Sequence, residues 1–140
     1  MKQIPVIFWT GTGNTQMMAD AVAEAINAAG AEAVVKNISE ITADEAAGYD
    51  ALALGCPAMG AEVLEECEFE PFFTELEGKL AGKKVAIFGS YGWGGSYMQD
   101  WKARVKDAGA TLVADGVLAL GAPDDEAMAQ LTEAGKLLAE

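Results

Sequence analysis

Histidine is missing from this 140-residue chain, and that absence removes a large class of chemistry. Without an imidazole, the protein has no histidine to act as a general acid or base or as a metal ligand. Cysteine is scarce, since Cys56 and Cys67 are the only two in the chain. Their spacing forms neither a CxxC pair nor a disulfide framework. We therefore expect a protein of the reducing cytoplasm, with two buried or half-buried thiols that are not ligands.

Long apolar runs and basic residues are also lacking. No run approaches the length that crosses a bilayer, and the apolar stretch 4–9 is too short for the hydrophobic part of a signal peptide. Lys and Arg number 9 against 22 Asp and Glu, which gives a formal net charge of −13. Nucleic acids and anionic membranes would repel such a chain, so we expect protein partners with basic surfaces. Acidity that only keeps the protein in solution is the alternative explanation.

The residues that are present indicate a compact α/β protein. Hydrophobic residues make up 51% of the chain and glycines number 16, with no internal repeat, so we expect residues 1–140 to form a single domain. Short apolar runs predict five buried strands of a parallel sheet. They lie at residues 4–9, 32–36, 51–55, 85–89 and 111–120.

Between these runs, apolar residues recur at helical spacing. This pattern predicts helices that cover both faces of the sheet. A weaker signal, the pair Thr42 and Glu45, predicts a capping box for a short helix before Tyr49. The four longer helical stripes are Met18, Val22 and Ile26; Phe69, Phe72, Phe73, Leu76 and Leu80; Met98, Trp101 and Val105; and Ala127, Leu131, Ala134 and Leu138.

Ligands of open parallel sheets bind beyond the carboxyl ends of the strands, which brings together the loops that follow Trp9, Gly55 and Gly89. The first loop, residues 10–15, reads Thr-Gly-Thr-Gly-Asn-Thr and precedes a helix that we expect to begin near Asn14. Its backbone N–H groups, hydroxyls and helix dipole suit a phosphate monoester. It lacks the third glycine of a dinucleotide fingerprint and the lysine of a Walker loop. An ordinary strand-to-helix connection with an Asn or Thr cap remains the alternative.

The second and third loops supply groups for a flat ring. Met59 and Trp93 would contact opposite faces of such a ring, and Glu62 would accept a hydrogen bond from a ring N–H. A solvated Glu62, and aromatic residues that form a lid or an interface, are the alternatives. Together the three loops fit a phosphorylated planar cofactor. The glutamates that would oppose extra negative charge on its ring are Glu62, Glu65, Glu66, Glu68 and Glu70.

These motifs make the chain similar to the flavodoxins, in particular the short-chain clostridial type. The matching segments are residues 10–15, 55–60, 62–66, 82–85 and 88–94, and the likeness spans nearly the whole chain. The resemblance implies a flavodoxin-like three-layer sandwich with a five-stranded parallel sheet in the order 2-1-3-4-5. It also implies non-covalent FMN and low-potential one-electron transfer in place of ferredoxin. Monomers would dock on basic patches of ferredoxin- or flavodoxin-dependent oxidoreductases.

The resemblance further implies residue roles, with no catalytic residue and no metal ligand. Residues 10–15 would hold the phosphate, Met59 and Trp93 would enclose the ring, Glu62 would accept from flavin N3–H, and backbone groups at 92–94 would meet the pyrimidine edge. The implied FMN-binding residues are Thr10, Gly11, Thr12, Gly13, Asn14, Thr15, Pro57, Ala58, Met59, Gly60, Ala61, Glu62, Ser90, Tyr91, Gly92, Trp93 and Gly94.

Two features depart from the family pattern. Ala61 follows Gly60 in a turn where positive φ favours Gly, Asn or Asp, and residues 120–123 lack the asparagine that some relatives offer to the ribityl chain. Two other functions stay open, a small FMN-dependent reductase and a flavodoxin-like activator of ribonucleotide reductase. NAD(P)H turnover distinguishes a reductase from a carrier.

Overall fold

The computed structural model describes residues 2–9, 13–58, 64–91, 96–114 and 116–140. Strands and helices alternate as far as β5, which is followed by a further strand and the last helix, and a 3-10 turn at Ile38–Glu40 follows the second strand. The strands are β1 (Gln3–Phe8), β2 (Glu32–Asn37), β3 (Ala51–Gly55), β4 (Lys84–Tyr91), β5 (Thr111–Leu112) and β6 (Val117–Leu120). The helices are α1 (Asn14–Ala28), α2 (Ala43–Ala47), α3 (Phe69–Glu77), α4 (Ser96–Asp107) and α5 (Asp125–Ala139).

All the strand pairs in the described residues are parallel, in the order β2-β1-β3-β4-β5, with β6 also paired to β4. The predicted order 2-1-3-4-5 is confirmed. All five residues of β3 are buried, because this strand lies inside the sheet and is covered on both faces. The carboxyl ends of β1, β3, β4 and β6 therefore lie along one rim of the sheet.

The fifth predicted strand, residues 111–120, is two strands, β5 and β6, so the sheet of the described residues has six strands instead of the five expected. Leu112 pairs with Val85 and Val117 pairs with Phe88. Leu112 and Val117 are five positions apart in the sequence, but their partners Val85 and Phe88 on β4 are only three positions apart. The outer segment thus has two more residues than β4 between these two pairs.

Two apolar cores fill the spaces between the sheet and its helices. On one face α1 and α5 contribute the buried side chains Met18, Val22 and Leu131, and on the other α3 and α4 contribute Phe73 and Trp101. Every residue of the four predicted helical stripes is buried, which confirms both the stripes and the three-layer sandwich.

The short helix α2 begins as predicted with a capping box. The Thr42 hydroxyl accepts from the Glu45 N–H at 3.1 Å, and the Glu45 carboxylate accepts from the Thr42 N–H at 3.0 Å.

Of the helices in the described ranges, none is both long enough and apolar enough to cross a membrane.

Candidate cofactor-binding site

The buried threonine, serine and charged side chains of the described residues all lie at the carboxyl-end rim. They are Thr15, Glu65 and Ser90, with exposed fractions of 1%, 5% and 6%. Thr15 lies in the first turn of α1, Glu65 lies between β3 and α3, and Ser90 is the second-last residue of β4. Because burying a polar group is unfavourable without a partner, this rim is chemically unlike the rest of the core.

The start of α1 is arranged to receive an anion. Gly13 is the N-cap residue, with φ of 92° and no side-chain cap hydrogen bond, and its carbonyl accepts from Met17 N–H at 3.1 Å. The first turn holds no acidic residue, so its N–H groups and the helix dipole meet no opposing carboxylate there. Beside it the Thr15 and Ser90 hydroxyls lie 3.3 Å apart. These donors suit a phosphate group.

The second and third predicted loops leave the sheet side by side. Cys56 N–H donates to the Phe88 carbonyl at 3.0 Å, and Ala58 N–H donates to the Ser90 carbonyl at 2.9 Å. The Tyr97 hydroxyl, in α4, donates to the Cys56 carbonyl at 2.8 Å. Gly89 permits this approach, since a Cβ there would overlap both the Cys56 carbonyl oxygen and the Tyr97 hydroxyl.

Glu65 organises the turn that follows the second loop. Its carboxylate accepts hydrogen bonds from the N–H groups of Cys67 at 2.7 Å, Glu68 at 2.6 Å and Phe69 at 2.9 Å. Burial acts to raise the pKa of Glu65, but the N–H groups of Phe69, Glu68 and Cys67 act to lower it, and the pKa is lowered on balance. The carboxylate therefore stays ionised and holds the start of α3.

The two cysteines differ. Cys56 is buried, and burial is the main cause that raises the pKa of its thiol to about 12, so it is not a nucleophile at neutral pH. Cys67 is exposed, which corrects the expectation of a buried or half-buried side chain. Both are free thiols, as expected.

Seven of the seventeen sequence-predicted site residues are described, and all lie at the carboxyl-end rim. These are Gly13, Asn14, Thr15, Pro57, Ala58, Ser90 and Tyr91. The other ten lie outside the described residues, and their roles stay predictions. They are Thr10, Gly11, Thr12, Met59, Gly60, Ala61, Glu62, Gly92, Trp93 and Gly94.

Sequence reasoning missed three features of this rim. It treated Glu65 as one of several glutamates, and it gave no role to Tyr97 or to the hydrogen bond from Trp9 Nε1 to Glu68 at 3.2 Å. An acidic residue shortly before a helix is a known capping signal, so the position of Glu65 before Phe69 offered a clue. Nothing in the sequence indicates the partner of Tyr97.

Known proteins with similar sequences and folds agree with this architecture. The flavodoxin family model matches residues 6–135. The chain is 47% identical over 116 residues to the flavodoxin of Megasphaera elsdenii, covering 82% of this chain and 85% of that protein. It is 45% identical over 135 residues to the flavodoxin of Clostridium beijerinckii, covering 96% and 97%.

A solved structure extends the comparison to the fold. The solution structure of two-electron reduced Megasphaera elsdenii flavodoxin matches with a TM-score of 0.89 and 43% identity, covering 97% of this chain and 98% of that one. The sheet order, the rim of buried hydroxyls and these matches lead to one conclusion, that the chain belongs to the flavodoxin family.

Proposed function

We propose that this chain carries one electron at a time, at low potential, between redox enzymes that otherwise use ferredoxin. As a flavodoxin it is an FMN-binding electron carrier and not an enzyme. The observation that carries the proposal is the paired burial of the Thr15 and Ser90 hydroxyls beside the start of α1. Buried donors at a helix N-terminus fit the phosphate monoester by which FMN differs from riboflavin.

The described donor set passes a simple test of fit to FMN. A dianionic phosphate needs donors and no nearby carboxylate, and the first turn of α1 supplies N–H groups and the Thr15 hydroxyl without an acidic residue. When bound, FMN supplies the ring that accepts and releases electrons. The chain supplies the fixed rim that binds and orients the cofactor.

We assign FMN contacts to three loops on the strength of the family resemblance. Residues 10–15 hold the phosphate, Met59 and Trp93 cover the two faces of the ring, and Glu62 accepts from flavin N3–H. Support comes from Ala58 and Ser90, whose backbone hydrogen bond of 2.9 Å joins the second loop to the end of β4 beside the phosphate site.

Partner recognition follows from charge. With a net charge of −13, the chain attracts basic docking patches on ferredoxin- or flavodoxin-dependent oxidoreductases, and this steering weakens as salt screens it. A single domain spanning residues 1–140 then acts as a cytoplasmic monomer.

Reconstitution with FMN tests the proposal. The apoprotein should bind FMN in a 1:1 ratio, give a yellow protein with flavin absorption bands, and pass through a blue or grey form on partial reduction. The holoprotein should transfer electrons more slowly as salt is added and should not turn over NAD(P)H on its own. Catalytic NAD(P)H oxidation would favour the reductase alternative, and failure to bind FMN would refute the proposal.

A further inference from the structure

An open apolar groove runs along the solvent side of α1 and α5. Its volume is about 290 Å³, and both helices contribute to its walls. The helices pack closely beside it, because a Cβ at Gly135 would lie only 2.7 Å from the Ala25 Cβ and 2.8 Å from the Val22 carbonyl oxygen. This close packing keeps the groove in shape without a ligand. The residues that line the groove are Ala21, Glu24, Ala25, Ala28, Met128 and Thr132.

Two exposed methionines lie at one end of the groove. Met128 is 40% exposed, and Met17, on α1, is 45% exposed. Both helices begin at the carboxyl-end rim, and about two turns separate Met128 from Gly135 and Met17 from Ala25, which packs against Gly135. The two methionines therefore lie at the same level. Exposed methionines are typical of surfaces that bind apolar side chains, because the thioether side chain adapts its shape to the partner.

The α1 side of the groove is acidic. Glu24 lines the groove, and Asp20, one turn earlier on α1, is also exposed. Among the described residues no lysine or arginine forms an ion pair with either carboxylate. Helix α1 has no basic residue, and the one basic residue of α5, Lys136, lies in its last turn, away from the methionines. The groove therefore has unpaired negative charge along one side.

The helices on the other face of the sheet neutralise acidic residues within the chain. The Arg104 guanidinium pairs with Glu70 at 2.7 Å and with Glu77 at 3.0 Å, and the Lys79 ammonium pairs with Asp44. The carboxylates of α1 have no such partner in the described part of the chain. They are thus available to basic groups of another molecule.

We propose that the groove binds a basic amphipathic helix of a partner protein. The apolar side chains of that helix lie against Met128 and the alanines of the groove, and its lysines or arginines lie over Asp20 and Glu24. Ala21 and Ala28 are about two turns apart, so residues i, i+3, i+4 and i+7 of the partner helix span the groove.

A second copy of this chain is a poorer occupant than a basic helix. It would bring a net charge of −13 and the same acidic border, which would repel Asp20 and Glu24. The groove lies along the sides of α1 and α5 and includes none of the residues predicted to contact FMN. The inference therefore goes beyond the proposed function and does not depend on it.

A synthetic helix of leucine and lysine is the probe for this surface. The peptide is about 15 residues long, so that it can form a helix, and its leucines occupy one face. In an amide NMR titration of the FMN-loaded full chain, we expect saturable shifts at Ala21, Ala25, Ala28, Met128 and Thr132. A control peptide of the same composition, with its leucines spread around the helix, should bind about tenfold more weakly.

Two pairs of variants test the apolar and the charged parts of the groove. Met128→Gln should weaken the amphipathic peptide about fivefold, whereas Val35→Thr, at an equally exposed position on β2, should leave its affinity unchanged. Glu24→Gln should weaken the peptide about threefold. Its control, Glu133→Gln, removes the same charge from a different side of α5 and should have little effect. Isothermal titration calorimetry measures these affinities.

Equal affinity for the two peptides, or equal effects of Met128→Gln and Val35→Thr, would overturn the inference, because attraction to an acidic surface would then suffice. Dimerisation of the chain that Met128→Gln abolishes would also overturn it, because the groove would then bind a second copy. A chain that binds FMN but not the amphipathic peptide would overturn this inference alone. A chain that binds the peptide but not FMN would refute only the proposed function.

Discussion

The two rims of the sheet satisfy their polar groups in different ways. At the carboxyl-end rim, buried side chains do so, through the Thr15 and Ser90 hydroxyls and the Glu65 carboxylate. At the opposite rim backbone groups and exposed side chains do so, as in the turn where Gly82 N–H donates to the Gly109 carbonyl at 3.0 Å. Both glycines have positive φ, which favours glycine in such tight turns.

Charge also distinguishes the rims. At the opposite rim the Lys84 ammonium donates to the Glu140 carbonyl at 2.8 Å, and the Lys2 ammonium donates to the Leu138 carbonyl at 3.2 Å. These cations lie where the C-terminal end of α5 carries its negative partial charge. The carboxyl-end rim, by contrast, has buried hydroxyls beside a helix N-terminus. This difference supports the proposal that FMN binds at the carboxyl-end rim.

The largest expected difference between the two rims is in the loss of stability when one methyl group is added at each. In Gly89→Ala the new Cβ overlaps the Cys56 carbonyl and the Tyr97 hydroxyl, so we expect a loss of about 3 kcal/mol in the free energy of unfolding. Gly78, at the end of α3 on the opposite rim, has no atom within 4 Å of an added Cβ and a φ of −73°. Gly78→Ala should change stability by less than about 1 kcal/mol. Equal destabilisation in urea titrations would contradict the comparison.

Removal of one buried hydroxyl should weaken the binding of FMN but not the binding of riboflavin. Thr15→Val keeps the shape of the side chain, and we expect about tenfold weaker FMN binding with unchanged riboflavin binding, because only FMN carries the phosphate. Thr132→Val, in α5, removes an exposed hydroxyl that donates to the Met128 carbonyl and serves as the control. Fluorescence titrations of the apoproteins measure both ligands. An equal loss for riboflavin would show that Thr15 does not act on the phosphate.

Low pH should remove the stability that the buried Glu65 carboxylate contributes. The pKa of Glu65 is lowered in the folded protein from its usual value of 4.5, so its stabilising effect is fully present above that value. That effect is lost as pH falls through 4.5 toward the folded pKa. We expect the melting temperature of the apoprotein to fall more steeply below pH 4.5 in the wild type than in Glu65→Gln. Parallel pH profiles would mean that the three N–H groups contribute no stability through this carboxylate.

Periodicity predicts most of the fold because burial repeats along each element. The stripe of Met18, Val22 and Ile26 predicts α1. The apolar run at 51–55 predicts β3 with its observed bounds. The division of 111–120 into β5 and β6 was not predictable in this way. It depends on the register against β4, where two surplus residues accumulate, and register is a property of two strands together.

The site was predictable where chemistry is local. Residues 13–15 form the start of α1 in the sequence itself, so their proposed phosphate role rests on neighbouring residues. The role of Tyr97 was not predictable, and that of Glu65 only in part, because both depend on where the N–H groups of residues 67–69 and the Cys56 carbonyl point after the turns have formed. A glutamate within an acidic run carries no mark that it will be buried.

The smallest effect is expected at the opposite rim. Lys84→Met removes an exposed ammonium from the end of α5, and we expect a loss of about 0.5 kcal/mol in the free energy of unfolding. FMN affinity should stay at the wild-type value, because this residue lies at the other end of β4. Urea titration and FMN titration measure the two quantities. A change in FMN affinity would contradict the claim that the opposite rim takes no part in FMN binding.

The most direct test of the account is an amide NMR titration of the apoprotein with FMN. We predict saturable shifts at the carboxyl-end rim, at Gly13, Thr15, Ala58 and Ser90, with little change at the opposite rim in residues 30–32, 48–50 and 82–84. The absence of saturable shifts, or shifts centred on the opposite rim, would contradict the assignment of FMN to the rim of buried side chains.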